Sequence, residues 1–170
     1  MAEALDPILT PELDDLTRRI LERACARDLK LATAESCTGG LLASLLTDVP
    51  GCSHVFERGF VVYSEDAKHD VLGVPMEMLR DGGAVSQSVA LAMVEGALTR
   101  SRADVVLAVT GWAEDVGDPK RPGGLVHFAC ARRGGFTHHR KAEFGSIGRQ
   151  AFRLACLQAA MEMIAVMVSL

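Results

Sequence analysis

The segment at residues 35–40, Glu-Ser-Cys-Thr-Gly-Gly, combines a hydroxyl, a thiol and two glycines where acyl-transfer chemistry could occur. Apolar residues predict a strand just before it, at residues 30–34, and a helix just after it, at residues 41–46. A helix start presents unpaired backbone N–H groups and the positive end of the helix dipole, which can stabilise an oxyanion. Ser36 could be the nucleophile of such a site, or it could serve only as an N-cap at an anion-binding turn.

A serine nucleophile needs a base, and Lys68 is the most attractive candidate in the sequence. Lys68 follows a predicted strand at residues 54–63 and lies four residues beyond Ser64, which we predict to be an N-cap. A Ser–Lys pair works only if burial or a neighbouring cation lowers the lysine pKa, so that a neutral amine can accept the proton. Tyr63, the single tyrosine of the chain, could orient or relay that proton. The alternative is a solvated Lys68 and a Tyr63 that packs at the sheet edge.

Other residues could take either role. Cys37 is a rival nucleophile, because a helix N-terminus favours the thiolate form, but the sequence gives it no obvious histidine partner. Three histidines are alternative bases: His54, His69 and His127.

Strands and helices alternate over the first two thirds of the chain and a hairpin follows. This order predicts an α/β protein, a single-domain three-layer α/β/α sandwich with a mixed β-sheet, over residues 1–170. Further predicted elements are a helix from Thr10-Pro11, a short helix that follows its cap Ser64 and stops just before Gly73, a short helix at 75–80, a turn at 81–83, a helix at 86–100, a strand at 104–110, a hairpin of 124–131 with 136–143, and a helix at 147–167. Ligands of such folds bind beyond the carboxyl ends of the strands, which here means residues 35–40, 64–68 and 110–124.

The composition excludes several classes of protein. With 170 residues, 49% of them hydrophobic and 24% charged, the chain is neither disordered nor fibrous. Five cysteines without a C-x-x-C pair predict free thiols in the cytoplasm, and no histidine spacing suggests a metal site. The N-terminus does not read as a signal peptide, and we expect no membrane span, because the apolar tail from residue 155 reads better as a buried helix.

The net charge of −4 is unevenly distributed. Residues 1–16 carry five acids, namely Glu3, Asp6, Glu12, Asp14 and Asp15. Residues 120–153 carry eight bases, namely Lys120, Arg121, Arg132, Arg133, Arg140, Lys141, Arg149 and Arg153. A local basic segment on an acidic chain favours a small anionic ligand over a nucleic acid, which usually makes the whole domain basic.

Residues 33–40 (TAESCTGG), followed by residues 47–51 (TDVPG), closely resemble the CinA C-terminal domain family, which includes bacterial nicotinamide-nucleotide amidases. The resemblance runs from about residue 14 to residue 170, and its first motif is specific. Further matches follow in order: Val62-Tyr63-Ser64, Ala67-Lys68, Leu72-Gly73-Val74-Pro75, Gly83-Ala84-Val85-Ser86, Ala108-Val109-Thr110-Gly111, and Gly148-Arg149 with Arg153.

The resemblance implies an amidohydrolase that converts nicotinamide mononucleotide to the acid and ammonia, with no metal or redox cofactor. Ser36 would be the nucleophile and Lys68 the base, with Tyr63 beside them. The expected substrate-binding residues are Glu35, Cys37, Thr38, Gly39, Gly40, Thr110, Gly111 and Arg149. The oxyanion would be held by backbone N–H groups near Cys37, Thr38 and Gly39. Arg149 would bind the substrate phosphate; the alternative is a surface arginine paired with an acid.

We also expect a homo-oligomer, because the last helix is rich in methionine (Met161, Met163 and Met167) and could supply an interface, although such residues more commonly pack in a core. The expected partner is a pyridine nucleotide, with neither a membrane nor a nucleic acid involved. The bases of 120–153 are split over a hairpin and a helix, and the aromatic residues needed for base stacking are scarce.

One loop departs from the family pattern. Where the family shows a loop rich in glycine and proline, residues 112–124 are slightly shorter and carry three acids, Glu114, Asp115 and Asp118. A carboxylate here would repel a phosphate, or it could face a pyridinium cation. The alternative function is therefore a non-catalytic nucleotide-binding or regulatory module with an altered substrate loop.

Overall fold

The computed structural model describes residues 9–169, without the side chains of residues 81 and 82. The acids Glu3 and Asp6 lie outside the described residues. In chain order the elements are α1 (Pro11–Ala26), β1 (Leu31–Glu35), α2 (Leu41–Thr47), β2 (Phe56–Val61), α3 (Glu65–Leu72), α4 (Met76–Gly82), α5 (Gln87–Thr99), β3 (Val105–Gly111), β4 (Leu125–Arg132), β5 (Thr137–Glu143) and α6 (Arg149–Ser169).

The strands form one mixed sheet in the order β2-β1-β3-β4-β5. The first three are parallel, whereas β4 and β5 are antiparallel to their neighbours, as expected for the predicted hairpin. Alternate residues of β3 point to opposite faces: Leu107 packs into one apolar cluster with α1, α2 and α6, and Val106 into a second with α3, α4 and α5. The predicted three-layer α/β arrangement is confirmed.

The parallel strands also bring the predicted ligand-binding segments together. Glu35 at the end of β1 is in register with Val61 at the end of β2 and with Val109 near the end of β3. The loops that follow these strands therefore leave the sheet at the same edge. This is the edge at which ligands bind in folds of this kind.

The helix ends differ from the prediction in two places. The predicted turn at residues 81–83 is wrong in part, because α4 continues to Gly82 and the chain turns only at Gly83, whose φ is +74°. The last helix begins at Arg149 rather than at residue 147, because Gly148 has a φ of +85°, which is outside the helical region.

Helix α6 is apolar enough to cross a membrane by length and composition alone. Within the structure it packs as a core helix against α1, β3 and β4, and 56% of its most apolar window is buried. Met161, Met163 and Met167 are all buried in this core. The methionine side chains are therefore used inside the chain and do not form a free interface.

The contact between α5 and α3 depends on Gly96. A Cβ atom at this position would lie 2.0 Å from the carbonyl oxygen of Leu72, which is backbone and cannot move away cheaply. Replacing glycine by alanine inside a helix usually raises the free energy of unfolding by up to about 1 kcal/mol. Here the overlap with the Leu72 carbonyl makes the replacement destabilising. We expect Gly96→Ala to lower the free energy of unfolding by about 1–3 kcal/mol in urea denaturation. Glu95→Ala, on the exposed side of the same helix, is the control, and a stabilised Gly96→Ala protein would contradict the prediction.

Candidate active site

Ser36 and Lys68 meet where β1 and β2 end. The Nζ atom of Lys68 lies 3.0 Å from the Oγ atom of Ser36, although the two residues are 32 positions apart in the chain. Both side chains are buried, and Lys68 is only 1% exposed. The predicted pair is therefore in hydrogen-bonding contact, and the alternative of a solvated Lys68 is wrong.

The surroundings of the Lys68 amine favour its neutral form. Burial lowers the pKa of Lys68, and the opposing effects of Cys37 and Glu65 are smaller. None of the ion pairs within residues 9–169 includes this amine. Its other two contacts are the carbonyl oxygens of Val62, at 3.1 Å, and Tyr63, at 3.3 Å. A neutral amine can donate its two hydrogens to these carbonyls and keep its lone pair for the Ser36 hydroxyl proton.

Helix α3 holds Lys68 in this position. The Oγ atom of Ser64 accepts a hydrogen bond of 3.0 Å from the Ala67 N–H, and Gly73 ends the helix with a φ of +73°. Both features confirm the predicted cap and stop. Within this short helix, Lys68 and Leu72 are buried, so the lysine is on the face turned toward the sheet.

Glu35 organises the loop that carries Ser36. Its carboxylate is fully buried and accepts five hydrogen bonds. They come from the Thr33 and Thr38 hydroxyls (3.1 and 2.7 Å) and from the Gly40, Leu42 and Ala43 N–H groups (3.0, 3.1 and 2.8 Å). Because the N-cap residue Gly40 has no side chain, Glu35 supplies the missing acceptor to the first turn of α2. The Glu35 carboxylate is thus occupied by the protein itself and shapes the loop, while its predicted contact with substrate stays a prediction.

The two glycines shape the turn after the nucleophile. Gly39 and Gly40 have φ values of +63° and +97°, which side chains other than glycine rarely adopt. The Gly39 N–H donates to the Ser36 carbonyl at 3.2 Å, so it is not a free oxyanion donor as predicted. No hydrogen bond within residues 9–169 occupies the N–H groups of Cys37 and Thr38. These two N–H groups remain as the candidate donors to an oxyanion.

A cavity of about 290 Å³ opens onto the Ser–Lys pair. Its lining includes the predicted residues Ser36, Cys37, Tyr63, Lys68, Thr110, Gly111 and Arg149, together with Ala84, Val85, Trp112, Ala113, Glu114 and Val116, which were not predicted to bind substrate. The predicted residues Glu35, Thr38, Gly39 and Gly40 do not line it. They shape the loop instead.

Arg149 is already paired in this cavity. Its Nη2 and Nε atoms lie 2.6 and 3.2 Å from a single oxygen of Glu114. The side chains are 36% exposed for Arg149 and 59% exposed for Glu114. The hydrogen bonds to Glu114 raise the pKa of Arg149. The Tyr63 carbonyl contacts Lys68, and the exposed Tyr63 side chain, with its hydroxyl, lies at the mouth of the cavity. Within residues 9–169 no hydrogen bond joins that hydroxyl to Ser36 or Lys68, so the structure gives no support to the proposed proton relay.

The rival residues have other partners. Cys37 and Cys156 belong to the same apolar cluster, and the Cys37 thiol raises the pKa of Cys156. Among the described residues, none of the hydrogen bonds of His54, His69 or His127 reaches Ser36 or Cys37. All five cysteines are free thiols. Lys68 is therefore the base with the geometry to serve Ser36.

Comparison with known proteins identifies the family. The model of the CinA C-terminal domain matches residues 13–168, which is nearly the whole chain. The chain belongs to the CinA C-terminal domain family. The resemblance seen in the sequence motifs is thus confirmed.

Solved structures of CinA relatives share the fold closely. The competence/damage inducible protein CihA from Agrobacterium tumefaciens has a TM-score of 0.91 at 44% identity, covering 96% of this chain and 99% of that one. The competence damage-inducible protein A (ComA) from Klebsiella pneumoniae has a TM-score of 0.86 at 31% identity, covering 92% and 97%.

Curated CinA relatives are longer. A CinA-like protein from Akkermansia muciniphila is 51% identical over 131 residues, which are 76% of this chain and 32% of that protein. A putative competence-damage inducible protein from Symbiobacterium thermophilum is 58% identical over 109 residues, 64% of this chain and 26% of that protein. The chain thus spans a third or less of the length of these two relatives.

One further residue of this CinA domain positions the nucleophile loop. The Nε atom of Arg153, on α6, donates to the Cys37 carbonyl at 3.4 Å, and its guanidinium lies 3.6 Å from where a Gly39 Cβ would be. The family motif in the sequence includes Arg153, but gives it no role. Only the packing of α6 beside α2 reveals the contact.

Proposed function

We propose that this chain is an amidohydrolase that deamidates nicotinamide mononucleotide through a Ser36 nucleophile and a Lys68 base. The observation that carries the proposal is the 3.0 Å contact between the Ser36 hydroxyl and a buried amine whose pKa is lowered by burial. The substrate class comes from the family resemblance. The cavity, at about 290 Å³, is at the small end of the range for small-molecule sites.

The reaction proceeds through a covalent acyl-enzyme in two stages. Neutral Lys68 accepts the Ser36 proton as Oγ attacks the carboxamide carbon, and the resulting oxyanion accepts hydrogen bonds from the Cys37 and Thr38 N–H groups. Lys68 then returns the proton to the nitrogen, the C–N bond breaks and ammonia leaves. Water attacks the ester carbonyl with Lys68 again as base, and the C–O bond breaks to give the acid and free Ser36.

Arg149 is the proposed phosphate-binding residue. It lies at the first position of a 21-residue helix, where the dipole favours an anion, and guanidinium forms paired hydrogen bonds to phosphate. The carboxamide would then lie toward Ser36 and the phosphate toward Arg149.

The decisive experiment is product analysis. The purified chain is expected to release ammonia and nicotinic acid mononucleotide in equal amounts from nicotinamide mononucleotide. Ser36→Ala, prepared in the same way, controls for contaminating amidase. Equal ammonia release by both proteins would refute the proposal.

The second candidate is a nucleotide-binding module without turnover. The observation that favours it is the Glu114–Arg149 ion pair, which occupies the proposed phosphate site. Calorimetry would then show binding of the nucleotide and of its acid product, with no ammonia released. Turnover by the wild-type chain rejects this candidate.

A further inference from the structure

The Glu114 carboxylate lies where a ligand anion would be expected at Arg149. One of its oxygens accepts from both Nε and Nη2 of the guanidinium, at 3.2 and 2.6 Å. These are the two nitrogens of one edge of the guanidinium fork, which is one of the two edges at which phosphate oxygens form paired hydrogen bonds. An internal anion thus holds that edge of the guanidinium.

A phosphate can take this edge only if the carboxylate leaves. Both groups are oxygen anions that need the same donors, and like charges at this distance repel each other. The pair is partly exposed to solvent, at 36% and 59% of its side chains, so water can solvate the carboxylate when it is released. A ligand without a phosphate does not disturb the pair.

We propose that Glu114 is a specificity-determining residue that competes with the substrate phosphate for Arg149. This inference rests on the proposed function and narrows its substrate class. The competition weakens binding of pyridine mononucleotides and leaves binding of the corresponding nucleosides unchanged. Glu114 therefore reduces the preference of the site for phosphorylated over unphosphorylated pyridine carboxamides.

The test compares ligand binding by Glu114→Gln and by the wild-type chain. Exposed ion pairs change equilibria by up to about fivefold, so we expect Glu114→Gln to bind nicotinamide mononucleotide up to about fivefold more tightly. Nicotinamide riboside should bind with unchanged affinity. Inorganic phosphate alone, used as a competitor or in calorimetry, should also bind more tightly to the variant.

The matched control is Asp115→Asn. It removes one negative charge from the neighbouring position, while the amide oxygen can still accept from the Gly117 N–H that Asp115 binds at 2.9 Å. Its affinity for both ligands should remain that of the wild type. An equal increase in nucleotide affinity in Asp115→Asn and Glu114→Gln would indicate a general charge effect and overturn the proposal. Unchanged or weaker nucleotide binding by Glu114→Gln would also overturn it.

Nicotinamide mononucleotide binding is measured on proteins that also carry Ser36→Ala, so no turnover occurs and the outcome is separate from that of the proposed function. If the wild-type chain releases no ammonia but Glu114→Gln binds phosphate more tightly, the deamidase proposal fails and the competition stands. If neither protein binds nucleotide or phosphate, Arg149 is not an anion site and the competition is refuted. Glu114→Ala leaves no amide to pair with Arg149. Its affinity for nicotinamide mononucleotide and phosphate should increase as much as that of Glu114→Gln, or more.

Discussion

Lys68→Met should lower the kcat of deamidation at pH 7 by about 10³-fold and leave the fold intact. Methionine fills a similar volume in the buried site but has no lone pair on nitrogen to accept the Ser36 proton. The amine is 3.0 Å from Ser36 and is held by two carbonyl oxygens, so no other described group can replace it in that position. KM should change little, because the lysine acts on the nucleophile.

Lys141→Met, at an exposed lysine on β5, is the control and should retain the wild-type rate. The Ser36→Ala, Lys68→Met double variant should be no slower than the slower of the two single variants, since the two residues act as one unit. A Lys68→Met protein with more than a tenth of wild-type kcat would show that another base serves Ser36.

The pH dependence follows from the lowered pKa of Lys68. The rate should rise with pH as the buried amine loses its proton, with a midpoint below the ordinary lysine value of 10.5. The unfolded chain binds this proton more tightly than the folded one, so this group makes folding less favourable at low pH, and stability rises between the lowered pKa and 10.5. Lys68→Met should remove this component, so that its gain in stability over the wild type shrinks as pH rises through that interval. A constant difference would contradict the assignment of a lowered pKa.

Glu35→Gln should lower the free energy of unfolding by about 2–6 kcal/mol. The buried carboxylate accepts five hydrogen bonds, whereas an amide has one acceptor oxygen and turns an NH₂ group toward the remaining donors. Leaving two buried donors without an acceptor costs about 1–3 kcal/mol each. Urea denaturation measures this loss, with Glu65→Gln on the exposed first turn of α3 as the control.

Glu35→Gln should also lower the deamidation rate at temperatures where the variant is still folded. Glu35 fixes the first turn of α2 and the Thr38 side chain, and these set the direction of the Cys37 and Thr38 N–H groups. The decrease should be in kcat, because the N–H groups contact the oxyanion. Glu35→Asp, which keeps the charge, should recover part of the lost stability. A loss of less than 1 kcal/mol in Glu35→Gln would mean that the carboxylate network is dispensable.

Much of the fold and the central pair could be predicted from the sequence because the signals are local. Ser64 caps α3 as predicted, α1 and α5 begin within one residue of the predicted positions, and the apolar run of β3 indicates a strand covered on both faces. Ser36 and Lys68 each follow a parallel strand, and parallel strands end at one edge, so their meeting could be expected.

The remaining features depend on contacts that no local pattern reveals. The sequence allows the glutamate before Ser36 either to face the cavity or to turn back toward α2. Only the packing shows that Glu35 turns toward α2. Arg149 and Glu114 are 35 residues apart and come together because the hairpin of β4 and β5 returns the chain to the end of β3. The Tyr63 carbonyl could not be singled out, since every residue carries one.

Ser36 and Lys68 are anchored on opposite faces of the sheet. Ser36 leads into α2, which packs with α1 and α6, while Lys68 belongs to α3, which packs with α5 on the other face. The distance between Ser36 and Lys68 is thus fixed by the packing of both apolar clusters. Glu114, in contrast, lies on the exposed loop that joins β3 to β4. Under the proposed function, change in that loop can redirect which molecules the domain accepts without altering the Ser36–Lys68 contact, so substrate range can diverge among proteins that keep the same pair.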